Sequence, residues 1–347
     1  MERTQSVGDI KREYPLNRIK EIVSEFRKIK ALILGDTIID EYHFVSPKGR
    51  AIKDPILSVD YITHEVYAGG ILAIANHVSN FVDQVTCVTL LGDREDRKEF
   101  INSALNKNVN FIYYTKKDSP TTIKKRYLNI TRNEKLFKVE YINEQPISGD
   151  VERDIIDFLE HELPKYDLVL VGDFGHGFFT ERIIMTLKKM AKFLSINVQS
   201  NSANMGFNFV TKYPTTNYVT MDLQELRYAV SDRFSQITEL MNKLYEKSGF
   251  KRFLITMGKS GSWYFNNKST YFFPSFVMRP QDTVGAGDAV FSITSLFAYC
   301  KYDDLIPFIA NCVGGIAVSY IGNKEFITLQ SLFNFIENTY NGNKQIQ

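Results

Sequence analysis

The chain has 347 residues, of which 44% are hydrophobic and 24% are charged, so it holds enough apolar material for one large α/β domain or two small ones. Its 42 basic and 40 acidic residues leave a net charge of +2, which offers no electrostatic footprint for nucleic acid or for an anionic membrane surface. A polar N-terminus, the lack of an apolar run long enough to span a membrane, and three widely spaced cysteines favour a cytoplasmic protein without disulfides or structural zinc.

The pattern at the N-terminus predicts a lead-in, a helix and a first strand. Residues 1–15 look like an untethered segment. Apolar residues at helical spacing follow, at Ile19, Ile22, Val23, Phe26 and Ile29. The run Ala31–Leu34 then predicts a buried parallel strand that stops at Gly35 and Asp36.

Strands and helices are predicted to alternate through most of the remaining chain. The strand signals lie at 85–91, 111–114, 168–171, 218–221 and 253–257. Helical patterns lie near 72–81, 95–107, 151–161, 181–194 and 235–247, and again after residue 288. Such alternation favours a mostly parallel sheet that is covered by helices.

Two segments break this alternation. Residues 54–67 and 121–141 are β-branched and partly alternating, with no helix between their strands, which predicts an antiparallel hairpin system outside the main sheet, serving as a lid. The predicted organisation is an N-terminal extension with a helix (1–29), one domain with this lid (30–330), and a C-terminal helix and tail (331–347).

The strongest chemical signal is the segment DTVGAGD, from Asp282 to Asp288. Apolar residues recur at helical spacing behind it, so its glycines lie where a loop becomes a helix N-terminus. Free amides and a partial positive charge at such a place suit a phosphoryl group, and glycine lets the backbone approach a ligand closely. Asp288 can accept a proton from an attacking hydroxyl there. The alternative is an ordinary glycine turn with Asp288 as the helix cap.

This segment resembles the most specific motif of the ribokinase (phosphofructokinase B) family of carbohydrate kinases. The resemblance implies a ribokinase-like three-layer α/β/α sandwich with a mostly parallel central sheet and a small β lid. It implies an ATP-dependent transfer of the γ-phosphate to a sugar hydroxyl. Asp288 would be the catalytic base, and Gly285, Ala286 and Gly287 would form the anion hole. Relatives of the heptose-kinase type within this family pair their lids, so the resemblance implies a homodimer as well.

Further segments carry the same resemblance. The segment LGDTIID resembles the family's first strand, and the di-glycine resembles the one before its first major helix, so the sugar is expected against Asp36, Asp40, Gly69 and Gly70. TMGKSG resembles the turn beside the ATP phosphates, and a later helix resembles the one that borders the adenine pocket. The expected ATP-binding residues are Asp222, Glu225, Thr256, Gly258, Gly261, Asp282, Thr283 and Asn311.

The sequence departs from the family in three places. Ala73 stands where relatives have a sugar-binding Asn, and Asn76, about one turn later, is a candidate substitute. The family's N-x-x-E appears as Asp222 to Glu225, which should still hold Mg²⁺ through water. Residues 197–209 do not resemble the corresponding Asp-Pro-Lys segment of relatives. These departures leave the sugar open, and a monovalent cation is a further candidate cofactor.

Within the family, GDTIIDEYHF, TTIKKRYLNITRNEKLFKVE and LVLVGDFGHGFFT resemble the heptose-phosphate kinases of lipopolysaccharide synthesis. This likeness favours a heptose phosphate or another surface-polysaccharide precursor as the substrate. On the predicted lid, strand alternation would point Lys124 and Arg126 the same way. Arg126 with Arg50 or Lys53 could bind a phosphate on that substrate, and solvated charges on a strand edge are the alternative. Two other functions stay open, a kinase-fold protein that binds sugar or nucleotide with weak catalysis, and a kinase for a nucleoside or vitamin-like alcohol.

Overall fold

A computed structural model describes residues 2–202, 204–267, 269–277 and 279–342. Within these ranges, thirteen strands form one hydrogen-bonded sheet with a lid branching from it. The strands are β1 (Glu2–Thr4), β2 (Lys30–Arg50), β3 (Leu57–Gly70), β4 (Gln84–Arg94), β5 (Val109–Pro120), β6 (Ile123–Asn129), β7 (Glu134–Tyr141), β8 (Leu168–Asp173), β9 (Leu194–Val198), β10 (Tyr218–Asp222), β11 (Phe253–Thr256), β12 (Ser262–Phe265) and β13 (Thr270–Phe273).

Helices cover both faces of the sheet. In the described residues they are α1 (Val7–Glu13), α2 (Leu16–Glu25), α3 (Ile71–Ser79), α4 (Lys98–Ala104), α5 (Gly149–Glu162), α6 (Glu181–Met190), α7 (Leu223–Val230), α8 (Ile237–Ser248), α9 (Ala286–Tyr299), α10 (Ile306–Ala317) and α11 (Leu329–Tyr340). One buried apolar cluster joins α2, α3 and α9–α11 to the sheet, and a second joins α5–α8 to its other face. The predicted three-layer α/β/α sandwich is confirmed.

The main sheet has the strand order β1-β13-β12-β11-β10-β9-β8-β2-β4-β5. From β11 to β5 every neighbouring pair is parallel, and β12 is antiparallel to both of its neighbours. The carboxyl ends of parallel strands meet at one edge of a sheet, where ligands of α/β proteins usually bind. That edge carries the continuation of β2 beyond residue 36 and the segments that follow β9, β10 and β11.

Strand β2 runs from the main sheet into the lid. Residues 30–36 pair with β4 and β8 in the main sheet, and residues 37–50 pair with β3. The prediction that this strand stops at Gly35 and Asp36 is therefore wrong. The Asp36 carboxylate accepts hydrogen bonds from the backbone amides of Phe174 (3.0 Å) and His176 (3.3 Å), so this polar residue is satisfied inside a continuous strand.

The lid consists of the outer half of β2 with β3, β6 and β7. Strands β3, β6 and β7 lie in or next to the segments 54–67 and 121–141 that the sequence predicts for the lid, whereas the outer half of β2 was not predicted to belong to it. The prediction of purely antiparallel hairpins needs one correction, because β6 pairs with β2 in parallel. The β2–β3 and β6–β7 pairs are antiparallel hairpins. The outer half of β2 thus joins the two hairpins into one four-stranded lid.

The N-terminal segment is attached to the domain, against the prediction of an untethered lead-in. Strand β1 pairs in parallel with β13, and Ile10 is buried in the core. Tyr340 also donates a hydrogen bond to the carbonyl of Tyr14 (2.7 Å), which ties α1 to α11. Of the predicted C-terminal tail, residues 343–347 lie outside the described residues. No helix in the described ranges is long and apolar enough to cross a membrane.

Candidate active site

Two cavities meet at the N-terminus of α9. One, of about 320 Å³, lies under the lid and is called here the sugar cavity. The other, of about 400 Å³, lies between the 258–261 turn and α10 and is called the nucleotide cavity. The two names refer to the ligands that the sequence resemblance predicts. Both are lined by Asp222, Thr256, Thr283, Gly287 and Val290. A molecule in one cavity can therefore reach a molecule in the other at the start of α9.

The backbone at this junction requires glycine. Gly285 caps α9 with φ of +80°, a left-handed conformation that L-residues rarely adopt. A Cβ there would lie 2.0 Å from Oδ1 of Asn323. The amides of the first helical turn, including those of Gly287 and Asp288, have no partner within the helix. They provide an anion site next to both cavities.

Asp288 lies in that first turn and lines the sugar cavity. Its carboxylate is 5% exposed, and Gln199 donates a hydrogen bond to Oδ1 at 2.5 Å. Burial raises the pKa of Asp288 to about 7, although the Gln199 hydrogen bond opposes this shift. Asp40 raises this pKa further and Lys124 lowers it. Such a carboxyl is suited to accept a proton near neutral pH.

The opposite wall of the sugar cavity contains Asp40, Gly70 and Arg126. The Arg126 guanidinium forms an ion pair with Asp40, and Asn323 donates to the same carboxylate at 3.4 Å. Gly69 lies directly behind Asp40, since a Cβ there would lie 2.2 Å from Oδ2. The structure thus brings four of the predicted substrate residues together around one buried carboxylate.

Lys124 is the unpaired cation of this cavity. It is 8% exposed, lines the cavity beside Arg126, and makes no hydrogen bond or ion pair with any described residue. Burial lowers its pKa, while Asp40 and Glu140 raise it. The alternating pattern of β6 places Lys124 and Arg126 on the same face, as the sequence predicts. A buried cation without a partner favours an anionic ligand.

Two predicted sugar-binding residues lie elsewhere. Asn76 is fully buried, and its side chain bonds the carbonyl of Ala104 (2.8 Å) and the amide of Asn106 (2.9 Å), so it fastens α3 to the loop before β5. The prediction that Asn76 replaces the sugar-binding Asn is contradicted by this position. Asp36 holds the 174–176 loop and lines a separate cavity of about 20 Å³. Burial and Asp173 raise the pKa of Asp36 to about 7.

The proposed phosphate partners of Arg126 also need revision. Arg50 and Lys53 are both exposed, at the far end of the β2–β3 hairpin, and neither lines the sugar cavity. Lys124 lines the sugar cavity beside Arg126 and is therefore the candidate partner of Arg126 in binding a phosphate. The alternative interpretation of solvated edge charges does not describe Arg126, because its side chain is 13% exposed and paired with Asp40.

Most of the predicted ATP-binding residues line the nucleotide cavity. They are Asp222, Thr256, Gly258, Gly261, Thr283 and Asn311. The Asn311 amide donates to Ser262 Oγ (2.9 Å) and to the carbonyl of Pro307 (2.8 Å), so it holds α10 against β12. The wall of the cavity is completed by small and apolar residues, Val277, Pro280, Val290, Ala310, Gly314, Gly315 and Val318. An aromatic base fits such a surface.

Asp282 lines neither of these cavities. Its carboxylate accepts hydrogen bonds from Tyr42 (3.0 Å), Lys135 (2.5 Å) and the amides of Thr283 (2.7 Å) and Gly322 (3.0 Å). Burial would raise its pKa, but the hydrogen bond and charge of Lys135 bring it below the ordinary value. The structure therefore corrects its predicted role as an ATP contact, since Asp282 fastens the α9 loop to the lid.

Asp222 and Glu225 form a capping box at the start of α7. Oε2 of Glu225 accepts from the amide of Asp222 (2.9 Å), and Oε1 accepts from the amide of Ser200 (3.0 Å). Burial and the Asp222 carboxylate raise the pKa of Glu225. No group of three or more metal-ligating side chains occurs in the described part of the chain. The exposed carboxylate of Asp222, facing both cavities, fits a hydrated Mg²⁺ better than a directly ligated one.

The structure adds three residues to the site. Gln199 follows β9, a five-residue strand that the sequence pattern did not reveal. Once that strand is known, its carboxyl end marks Gln199 as a candidate. Asn323 lies in a turn after α10, where no sequence signal indicated it. Lys124 was noted in the sequence only as a neighbour of Arg126.

The sequence of the chain is similar to those of known proteins. Residues 30–301 match the family described as pfkB family carbohydrate kinase. Among curated proteins, Bifunctional protein HldE of Trichlorobacter lovleyi is 23% identical over 316 residues, which are 88% of this chain and 62% of that protein. The same-named protein of Geotalea uraniireducens is 25% identical over 313 residues, with 88% and 63% covered. The chain thus spans about three fifths of the length of these relatives.

Solved structures share the fold. Phosphofructokinase-2 from Escherichia coli in complex with potassium matches with a TM-score of 0.70 at 14% identity, covering 89% of this chain and 98% of that one. The same enzyme in complex with fructose-6-phosphate gives 0.69 at 13% identity, with 89% and 98% covered. Ribokinase from Thermotoga maritima gives 0.68 at 16%, with 89% and 100% covered.

Proposed function

The chain belongs to the pfkB family of carbohydrate kinases. From this premise we propose that it is an ATP-dependent sugar kinase that phosphorylates a sugar phosphate bound under the lid, with Asp288 as the catalytic base. The observation that supports this most is the position of Asp288. Its buried carboxylate stands close to the junction of the sugar and nucleotide cavities, beside the amides of the first turn of α9. Of these amides, that of Ala286 donates to the carbonyl of Thr283 at 3.4 Å.

In the proposed reaction, Asp288 takes the proton of the accepting hydroxyl. The resulting oxygen attacks the γ-phosphorus of ATP, the bond to the β–γ bridging oxygen breaks, and ADP leaves with that electron pair. The amides of Gly285, Ala286 and Gly287 stabilise the charge on the transferring group, since they are fixed before the reaction begins. Asp40 and Gly70 orient the sugar so that one hydroxyl faces the base.

The nucleotide is assigned to the cavity between the 258–261 turn and α10. Its phosphates would then point toward Thr256 and Thr283, which line both cavities. Asp222 would hold Mg²⁺ through water, with Glu225 fixing the Asp222 backbone. When bound, the ion would neutralise charge on the phosphates. A potassium requirement can be tested in the same assay by exchanging the monovalent salt.

A phosphate already present on the substrate is supported by Lys124. This ammonium is buried, unpaired among the described residues and adjacent to Arg126, so an anion in the cavity would restore its missing interaction. Heptose phosphate is the specific proposal, and it rests on the resemblance of the β2 and lid segments to heptose-phosphate kinases. The chain spans only part of its HldE relatives, so the proposal is restricted to phosphoryl transfer.

A homodimer formed through the lid is the proposed assembly. Register with β6 places Phe137, Val139 and Tyr141 of β7 on the lid face that points away from the sugar cavity. These side chains are 43%, 39% and 47% exposed. Adjacent apolar side chains on an exposed face are typical of protein interfaces. A second copy of the chain is the proposed partner, since relatives of this type pair their lids.

The test is a phosphorylation screen over sugars and sugar phosphates, read by mass spectrometry, with Asp288→Asn as the matched variant. With the identified substrate, kcat should fall roughly 10²- to 10⁴-fold in the variant while ATP binding persists.

In the wild type, kcat/KM should decrease about tenfold per pH unit below about pH 7, because the base must be ionised. Wild-type-like turnover of the variant would refute the role of Asp288. Binding of sugar and ATP without phosphorylation would favour the weakly catalytic alternative, and turnover of nucleosides would favour the other acceptor class.

A further inference from the structure

We infer that Gln199 is a positioning residue for the base, and that it holds the Asp288 carboxylate through a hydrogen-bond relay that starts at Thr220. This inference rests on the proposed role of Asp288. The relay runs from β10 through the end of β9 to the first turn of α9. It brings together three residues that the sequence analysis did not include in the site.

The direction of the relay is fixed by chemistry. Asn197 Nδ2 approaches both the carbonyl oxygen (3.1 Å) and the hydroxyl (3.0 Å) of Thr220. A carbonyl oxygen only accepts hydrogen bonds, so the amide nitrogen of Asn197 must face Thr220, and its Oδ1 must face Gln199. Gln199 Nε2 donates to that Oδ1 at 3.1 Å and to Asp288 Oδ1 at 2.5 Å. Both hydrogens of the Gln199 amide are therefore used.

The relay is rigid at each step. Asn197 and Thr220 are 4% and 2% exposed, and both stand on paired strands of the main sheet. The backbone of Gln199 is held as well, because its amide donates to the carbonyl of Asp173 (2.9 Å) and its carbonyl accepts from Asn208 (3.2 Å). A side chain fixed at both ends can fix the rotamer of the carboxylate that it contacts.

As a result, the two carboxylate oxygens of Asp288 have different surroundings. Oδ1 is occupied by Gln199, whereas Oδ2 has no hydrogen-bond partner within the described ranges and the residue lines the sugar cavity. The oxygen that accepts the proton would thus be Oδ2. Without Gln199, either oxygen could turn toward the protein, and fewer molecules would hold the base in its reactive orientation.

Gln199 is uncharged, but its hydrogen bond lowers the pKa of Asp288. The charged groups that face Asp288 are Asp40 on β2, Lys124 on β6 and Glu225 on α7. The Gln199 N–H stabilises the ionised carboxylate, so its removal raises the pKa of Asp288. A lysine in its place would keep a donor and add a positive charge, which lowers that pKa. The two substitutions therefore shift the same titration in opposite directions.

The experiment compares Gln199→Met and Gln199→Lys with wild type. For Gln199→Met we expect kcat to fall about 10- to 100-fold, as for a lost hydrogen bond to a charged group, with both KM values nearly unchanged. The acidic limb of its pH–rate profile should move up by about one pH unit. For Gln199→Lys the limb should move down. Gln236→Met is the control, because Gln236 is exposed at the start of α8 and its side chain does not cap the helix.

A second measurement separates this inference from the kinase proposal. Titration of ¹³C-labelled aspartate carboxyls by NMR, with Asp288→Asn for assignment, reports the base without any turnover. A higher midpoint in Gln199→Met supports the relay even if no sugar is phosphorylated, in which case only the kinase proposal fails. An unchanged midpoint and pH profile in Gln199→Met, with an unchanged thermal unfolding temperature, would overturn the relay.

Discussion

The two ends of the active-site cleft are built in different ways. The nucleotide end takes its shape from short continuous segments, the 256–261 turn, the 283–287 loop and one face of α10. The sugar end collects five side chains from four separated places, namely Asp40 on β2, Lys124 and Arg126 on β6, Gln199 after β9, and Asn323 after α10. Backbone amides and glycines dominate the first end, and charged or amide side chains dominate the second.

This difference separates catalysis of phosphoryl transfer from choice of substrate. The start of α9 can bind a phosphoryl group in any chain that folds this way, because its amides belong to the backbone. The sugar end depends on which side chains the lid and the strand ends present. Changes to the backbone at the first end should therefore affect turnover, and changes to side chains at the second should affect the sugar more than ATP.

Among the substitutions that test this difference between the two ends, the largest effect is expected from Gly285→Ala. The left-handed backbone at this position disfavours an L-residue, and the new Cβ would lie 2.0 Å from Asn323 Oδ1, so the loop must shift. Displaced anion-hole amides should lower kcat roughly 10²- to 10³-fold. Steady-state kinetics on the identified sugar would measure this, with thermal unfolding to confirm that the variant is folded.

The control for this substitution is Gly149→Ala. Gly149 also begins a helix, α5, but a Cβ there meets nothing within 4 Å. Its kinetics should match the wild type. If Gly285→Ala has the same kcat as this control, the amides of α9 do not stabilise the transferring group. That result would contradict the claim that the backbone of the nucleotide end determines turnover.

Most of the residues that the sequence groups at the nucleotide end line one cavity, because that end is local. The amides of Gly285 to Gly287 and the turn at Gly258 are placed by their immediate neighbours, so a continuous motif identifies them. Asp282 shows the limit of this reasoning. It belongs to the same motif, yet its carboxylate is used by Tyr42 and Lys135, whose approach depends on the lid and is not visible in the motif.

The next effect in size is expected from Lys124→Met. Loss of a charged hydrogen bond to a substrate phosphate costs about 1.5–3 kcal/mol, so KM for the sugar phosphate should rise about 10- to 100-fold. KM for ATP should change little. Arg126→Ala should act in the same direction, but it also leaves Asp40 without its ion pair, so Lys124→Met gives the cleaner measurement.

Lys125→Met is the matched control, because β6 turns adjacent side chains to opposite faces. Lys125 pairs with Glu41 at 3.4 Å, on the face away from the sugar cavity. Because Lys125 lies opposite Val139 on the proposed interface, its KM for the sugar should rise at most a few-fold, and its KM for ATP should stay unchanged. Equal increases in the KM values for sugar and for ATP in Lys124→Met would contradict a substrate phosphate site. A comparison of phosphorylated and unphosphorylated forms of one sugar would locate the loss.

The sugar end was predicted less completely because its members are distant in the chain. Asp40, Gly70 and Arg126 were found through motif resemblance, whereas Asn323 and Gln199 reach the cavity only through the arrangement of the whole sheet. Asn76 was misplaced for a related reason. Helical spacing gives the angle between residues on α3, but it does not show which face meets the cavity and which meets the 104–106 loop.

The smallest effect on chemistry is expected from disrupting the proposed lid interface with Val139→Asp. Val139 is 39% exposed on the outer lid face. A stable dimer buries about 800 Å² on each partner, and Val139 would lie in that buried area. A carboxylate there would be buried without a partner, so Val139→Asp should weaken association at least about tenfold. Sedimentation velocity across a concentration series would measure this.

Met185→Asp is the control, since Met185 is 63% exposed on α6, away from the lid. Because Lys124 and Asp40 are carried by the lid strands, a loosened dimer should raise KM for the sugar a few-fold and leave KM for ATP unchanged. A wild-type chain that stays monomeric at every concentration would contradict the dimer. An equal rise in both KM values would show that the lid does not separate the two ends.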